Sequence, residues 1–298
     1  MGSPGDRQLS HVRALLGVME ALEAGDAAPA RQALTILRSR LSPESIDTDV
    51  AIGLLRRALG ELTGPSVTPK DTSHPFYQPP QTCQIPALGM WYEKFFGLRR
   101  DGYFVEAGSF DGESYSNTSC LADLGWQGLY IEPVAEYAAL CRRRHAENPD
   151  IFIIESALTA RPQEITLHLA GAATTAESAA LDAAGADPLL APLVSSETRS
   201  IPGLPLDDLL SDLAVPTGFE LLVLDVEGHE WEALQGFNPA HWRPQVILLE
   251  TSDRHPGHAQ HGTLAEDSRR CRALLDPLYQ EIWGDAANSL YIRRDLPL

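Results

Sequence analysis

Basic side chains, paired cysteines, long apolar runs and a targeting signal are all scarce or missing in this chain of 298 residues. Lys and Arg number 23 against 41 Asp and Glu, a formal net charge of -18. So acidic a chain stays in solution and repels polyanions, so nucleic acid is not an expected partner. Its one basic cluster, Arg142-Arg143-Arg144, reads as the solvated end of a helix. The four cysteines, Cys83, Cys120, Cys141 and Cys271, are scattered singly. That spacing excludes a disulfide framework and a thiolate zinc site, and suits reduced thiols in the cytoplasm. No apolar run reaches the roughly 18 residues of a membrane span. The start MGSPGDRQLSHVR lacks the apolar stretch of a secretion signal, and Asp6 stands where a myristoylation signal needs Ser or Thr. No membrane association is expected.

What is present is an ordinary globular composition, 44% hydrophobic and 21% charged, long enough for one large domain with an appendage. Residues 1–64 read as a small helical segment. Leu9, Val12, Leu15, Leu16, Met19 and Leu22 recur at three- and four-residue steps. Ala33, Leu34, Leu37 and Leu41 follow on a second helix, and Leu54, Leu55, Leu59 and Leu62 on a third. Their core is thin, so this segment is expected to lean on the rest of the chain, on a second copy in a homodimer, or on a docked partner. Residues 65–82, rich in Pro, Ser and Thr, read as a linker, and 83–298 as the main domain.

In that domain apolar, β-rich runs alternate with helical patterns. Tyr103–Ala107, Gly128–Glu132, Ile151–Glu155, Glu220–Asp225 and Val246–Glu250 are the expected buried strands, with helices over Glu113–Gly125 and Val134–Ala146. Such alternation predicts a doubly wound, mostly parallel α/β sheet covered on both faces. LYQEIW and SLYIRR, joined by GDAAN, predict a closing C-terminal antiparallel hairpin. Ile165–Leu169 reads as an extra strand. Residues 171–200 fade into Ala, Thr, Ser and Pro and are read as a lid over a pocket or a surface insertion, with Thr174 to Glu177 as a capping box for an Ala-rich helix. The cluster Trp91, Tyr92, Phe95 and Phe96 is expected to pack a helix against the sheet.

The sharpest signal is YFVEAGSFDGESYSNT, Tyr103 to Thr118: a buried strand, a glycine-bearing turn and a helix start. Ligands of doubly wound sheets sit beyond the carboxyl ends of the strands. Gly108 would let backbone approach a ligand, and the following N–H groups suit a carboxylate. Glu132, ending the next strand, is placed to accept hydrogen bonds from both hydroxyls of a ribose. Pro133, Ser156 and Ala157 are placed to line an adenine pocket. A Gly-x-Gly-x-x-Gly fingerprint for a dinucleotide is missing. The ligand these features fit is S-adenosylmethionine, with Glu106, Asp111 or both favouring its ammonium end.

Together with GWQGLYIEP and LLVLDVEGHEWEALQGF, these blocks resemble the FkbM family of S-adenosylmethionine-dependent methyltransferases, from about Tyr103 to Arg294. The resemblance implies a Rossmann-like class I methyltransferase sheet. It also implies O-methylation of a small-molecule hydroxyl on a sugar, polyketide or other secondary metabolite. It places Glu106, Ala107, Gly108, Ser109, Phe110 and Asp111 at the cofactor's methionine end, Glu132 at its ribose, and Asp225 beside the methionine moiety or the reacting centre, with Glu227, His229 and Glu230 at a helix start.

Removing the proton of an alcohol calls for a general base, and His229 is the candidate, with Asp225. A helix N-terminus would keep that imidazole neutral, whereas Glu227 and Glu230 would favour its charged form. A magnesium ion held by Asp225, Glu250 and Asp253 is the rival route to an activated hydroxyl. His255, His258 and His261 read as a polar loop, less as zinc ligands. A nicotinamide-dependent oxidoreductase and a non-catalytic cofactor-binding scaffold are the alternatives from other functional classes.

Overall fold

The computed structural model describes residues 84–296, apart from 86, 98, 187–189, 252 and 255–261. The expected N-terminal helices, the linker at 65–82 and His255, His258 and His261 lie outside the described residues. The chain divides into two compact units. One holds the described residues up to Asp101 with 111–127 and 139–151; the other holds 102–110, 128–138 and 152–296.

The first unit contains α1 (Leu88–Phe96), α2 (Ser119–Asp123) and most of α3 (Ala135–Arg144). Leu88, Tyr92 and Phe96 recur every four residues and form the buried face of α1. Tyr92 donates its hydroxyl hydrogen to the Asn117 carbonyl at 2.7 Å, and the Phe96 ring meets Trp126 edge-on at 5.2 Å. Trp91 and Phe95 instead stack on each other at 5.6 Å on the half-buried side. Of the four aromatics, Tyr92 and Phe96 are the buried pair, and Phe95 meets Phe96 edge-on at 6.3 Å.

The helix expected over Glu113–Gly125 is reduced to the five residues of α2. Side chains capture the backbone before it. Asp111 Oδ1 accepts the N–H groups of Glu113 and Ser114, Ser116 Oγ accepts those of Thr118 and Ser119, and Tyr115 takes a left-handed φ of 63°. Short polar side chains that bond their own backbone compete with helix formation, and here they win.

A second correction concerns the basic cluster. Arg142 and Arg143 are exposed, but Arg144 is buried between Asp123, which it bonds at 2.9 Å through both carboxylate oxygens, and Glu113. Removing the guanidinium strands two carboxylates, a loss that typically costs about 3–5 kcal/mol. Arg144→Met is expected to lower the urea midpoint of unfolding accordingly. An unchanged midpoint would show that the triad contributes nothing net.

The second unit carries two sheets. The larger has seven strands in the order β3 (Ile151–Ile154), β2 (Gln127–Ile131), β1 (Tyr103–Ala107), β7 (Leu221–Leu224), β8 (Val246–Glu250), β10 (Asn288–Arg293), β9 (Tyr279–Gly284). β1, β7 and β8 run parallel, with Val105 opposite Leu222 and Val223 opposite Leu248, while β10 runs antiparallel to both its neighbours. The five expected strands and the closing hairpin are thus present, and the sheet is mostly parallel. Every residue of β1 and β7 is buried, as continuous apolar strands predict. One face packs Val105, Ala107, Leu222, Leu224, Ile247 and Leu249 in a core shared with helical residues such as Leu206, Leu210, Leu234 and Leu275. Chain order reverses at β1, whose neighbours are β2 on one side and β7 on the other. Crevices at such reversals are where doubly wound sheets hold ligands.

The smaller sheet, β4 (Ala157–Leu158), β6 (Thr198–Leu204) and β5 (Gln163–His168), was visible in sequence only as its strand β5. The segment 171–200 is built rather than featureless: it holds α4 (Ser178–Ala186), a 3-10 turn at Ala191–Leu193 and the start of β6. The Ala-rich helix is present, but its expected capping box is not. Thr175 Oγ1 accepts the Glu177 N–H at 2.9 Å, Thr174 turns to the Gly171 carbonyl, and the Glu177 carboxylate leaves the helix altogether. The remaining helices are α5 (Leu206–Asp212), α6 (Glu230–Gln235), α7 (Pro239–Trp242) and α8 (Gly262–Leu275).

Candidate active site

The parallel ladder delivers the ends of β1, β7 and β8 to one edge of the sheet. The chain leaves β1 through Ala107, whose carbonyl accepts the Asp225 N–H at 3.1 Å, and through Gly108, whose N–H reaches the Ile131 carbonyl at 3.0 Å. Gly108 has φ 84°, and a Cβ there would lie 1.6 Å from the Asp225 carbonyl oxygen. Its lack of a side chain is thus required by the backbone after β7, a reason that differs from the ligand approach expected from sequence.

Phe110 is bent to φ 49°, costly for a bulky residue. The bend aims its N–H at Glu132 Oε2 at 2.9 Å and lays its ring 4.4 Å from that of Tyr137. Glu132 Oε1 accepts the Val134 N–H at 2.8 Å. This buried carboxylate is therefore fixed in orientation by the backbone on either side of it. Ser156 is buried, its hydroxyl bonded to the Ala157 carbonyl at 2.8 Å, and Ala157 pairs with Gly203 in the small sheet. Pro133 is half-buried. Asp111 belongs to the first unit, where its carboxylate closes its own turn, so the N–H groups of Glu113 and Ser114 are already used.

Beyond β7 the turn Asp225–His229 is wrapped by one side chain. Glu230 Oε1 accepts the N–H groups of Val226 and Gly228, and Glu227 between them takes φ 54°. The turn collects carboxyl groups: buried Glu230 and half-buried Asp225 and Glu227, with half-buried Glu250 from the end of β8 and buried Glu106 beside Asp225. Burial, and then the charges of Glu230 and Glu106, push Asp225 up to about 7. Burial likewise drives Glu227 and Glu250 well above the carboxylate range and raises Glu230. Glu250 bonds the carboxyls of Asp225 and Glu230, which requires shared protons.

His229 sits at the N-cap of α6 without capping it. Its Nδ1 lies 2.6 Å from Glu177 Oε1. Burial works to lower the imidazole's pKa. The Glu177 hydrogen bond and the charges of Glu177, Glu230 and Glu232 outweigh it, so the ring titrates above its ordinary value. The neighbouring carboxylates thus favour the charged ring more than burial disfavours it.

Three buried polar atoms of this unit have no hydrogen-bond partner among the described residues: Ser109 Oγ after β1, His229 Nε2 after β7 and Glu250 Oε2 at the end of β8. Buried polar atoms are rarely left so, and three at one sheet edge suit a bound polar ligand.

The methyltransferase FkbM domain family matches residues 106–283, well over half of the chain. The chain belongs to that family. FkbM members are S-adenosylmethionine-dependent methyltransferases, and the doubly wound sheet is the fold that this membership implies. No curated protein matches the chain. Among solved structures, an O-methyltransferase from Bacillus cereus in complex with SAH is 15% identical, covering 83% of this chain and 97% of its own with a TM-score of 0.39. The C-terminal domain of precorrin-6Y C5,15-methyltransferase from Rhodobacter capsulatus is 11% identical, covering 70% and 89% with a TM-score of 0.32. A Methanococcus jannaschii fibrillarin pre-rRNA processing protein is 11% identical, covering 66% and 68% with a TM-score of 0.35.

The DVEGHE segment at Asp225–Glu230 is thus one tight turn whose carboxyl groups are all shifted toward the protonated form. Asp253 does not join Asp225 and Glu250 as the magnesium set would require: it bonds Arg272 through both oxygens, at 2.8 and 3.3 Å, and among the described residues no three His, Cys, Asp or Glu side chains are arranged to hold a metal ion. Sequence reasoning missed Arg272, Tyr137 and the Glu177 carboxylate on His229. Each meets its partner across a long sequence interval or through a turn that no periodicity marks.

Between the ordinary Asp pKa near 3.8 and about 7 the folded chain binds more protons at Asp225 than the unfolded chain, and the other raised carboxyls act in the same direction. Stability attributable to them therefore falls as pH rises, by up to about 1.4 kcal/mol per pH unit for each proton involved. The melting temperature is expected to drop from pH 5 to pH 8, with a shallower slope in Glu250→Gln. An identical slope in the variant would contradict the protonated state of Glu250.

Proposed function

We propose that this FkbM methyltransferase transfers a methyl group to the hydroxyl oxygen of a small acceptor, a sugar, polyketide or comparable secondary metabolite, with His229 as general base. The observation that carries the reading is the unpartnered His229 Nε2, buried at the sheet edge where β1, β7 and β8 end. S-adenosylmethionine supplies an electrophilic methyl on a sulfonium.

In this reading Glu132, held by the Phe110 and Val134 N–H groups, receives the ribose hydroxyls. Pro133, Ser156, Ala157 and the Phe110–Tyr137 ring pair flank the adenine. Glu106 to Ser109 and Asp225 take the methionine end, where Ser109 Oγ offers a buried hydroxyl and the acid cluster favours positive charge. Acidic surroundings do not suit an anionic acceptor, which agrees with a neutral polyol. Much of the catalysis is then positioning of two bound reactants, with His229 removing the acceptor's proton.

Two variants test this. Glu132→Ala is expected to weaken S-adenosylhomocysteine binding by about 1–3 kcal/mol in calorimetry, since charge-assisted bonds are lost. His229→Ala should keep that affinity while slowing S-adenosylhomocysteine release on a pool of methyl glycosides and polyketide alcohols, by a factor on the order of 10²–10⁴. Full turnover in the second variant would remove His229 from the chemistry.

A further inference from the structure

A base is useful only if the correct nitrogen faces its substrate. His229 commits Nδ1 to the Glu177 carboxylate at 2.6 Å and leaves Nε2 buried and unpartnered. A carboxylate only accepts, so Nδ1 carries the hydrogen, and in the neutral ring it is Nε2 that keeps the lone pair. Glu177 comes from the 171–200 insertion, which is fastened to the same turn at two more points. Thr175 Oγ1 donates to the Glu227 carbonyl at 2.7 Å. Gly228, at φ 93°, leaves so little room that a Cβ there would meet Ala180 Cβ at 3.0 Å and Glu177 Cβ at 3.8 Å. Insertion and turn are therefore one packed unit.

We propose that Glu177 is a positioning residue for methyl transfer: it holds the Nδ1–H of His229 and so presents the Nε2 lone pair to the acceptor hydroxyl. The proposal rests on His229 acting as the base. As the acceptor oxygen bonds the methyl carbon, the C–S bond breaks with its electron pair staying on sulfur, and the hydroxyl proton passes to Nε2. The imidazolium so formed faces the Glu177 carboxylate, which stabilises it. Other charged groups around the ring do not replace Glu177 at Nδ1: Glu230 and Glu232 lie on its own helix α6, and on the neighbouring α8 Asp267 faces Glu177 while Arg270 lies over Trp231. The insertion thus supplies part of the catalytic apparatus, in addition to any covering role.

Glu177→Gln, Glu177→Asp and His229→Ala in the full chain provide the test. Histidine ¹⁵N resonances, with His229 assigned by its loss in His229→Ala, report tautomer and titration without any acceptor. The intact protein is expected to show the Nδ1–H tautomer. In Glu177→Gln the titration should move to lower pH by roughly one unit or more. On the acceptor pool, kcat in that variant should fall by a factor on the order of 10² with little change in KM. The acid limb of the kcat/KM profile should move to lower pH with the ring, and Glu177→Asp should recover part of the rate. Unchanged tautomer, titration and kcat in Glu177→Gln, even with a lowered melting temperature, would reduce the pair to a structural clasp and overturn the proposal. If His229→Ala loses turnover while Glu177→Gln keeps it, the positioning role alone fails; if His229→Ala keeps full turnover, the base assignment fails and the proposal with it.

Discussion

The contact of Gly108 with the Asp225 carbonyl is the constraint on which the site depends. No other residue fits where a Cβ would come within 1.6 Å of that oxygen, and the Asp225 N–H is already bonded to Ala107. The β1–β7 ladder therefore continues past the last paired residues and brings the acids of both strand ends into one crowded space. Glu106 and Asp225 arrive by this route, and β8 adds Glu250. Groups packed so closely cannot all be charged, so the site holds protons that a nearby cation would expel.

Much of this was legible in the sequence because it rests on local pattern. Continuous apolar strands such as ELLVLD and VILLE marked the buried ladder, and the acids and glycines following them marked its carboxyl edge. The less legible features are those where side chains compete with or bridge the backbone. Asp111 and Ser116 dismantle the first turns of an expected helix by bonding its N–H groups. Arg144 looks like a solvated charge until Asp123 and Glu113 are seen to enclose it. Glu177 resembles an ordinary helix cap, since nothing in its neighbourhood announces a histidine 52 positions later. The second sheet was obscured for a similar reason: β4 has two residues, and β6 contains Pro202 and Gly203, so neither shows strand alternation.

The segment 171–200 is fastened to the turn that follows β7. Its helix α4 is nearly all small residues, which lets it lie close against the turn at Gly228. In the proposed reading this segment helps to form the acceptor side of the site, while Glu132 serves the donor side.

The central claim is that the methyl donor binds where β1, β2 and β7 end, beside protonated carboxyl groups. Calorimetric titration of the intact chain at pH 7 with S-adenosylmethionine and S-adenosylhomocysteine, each in two buffers of different ionisation enthalpy, tests it directly. The account predicts one-to-one binding of both, with more protons released by the positively charged sulfonium than by the thioether. No heat with either ligand, or binding of the donor without proton release, would contradict it.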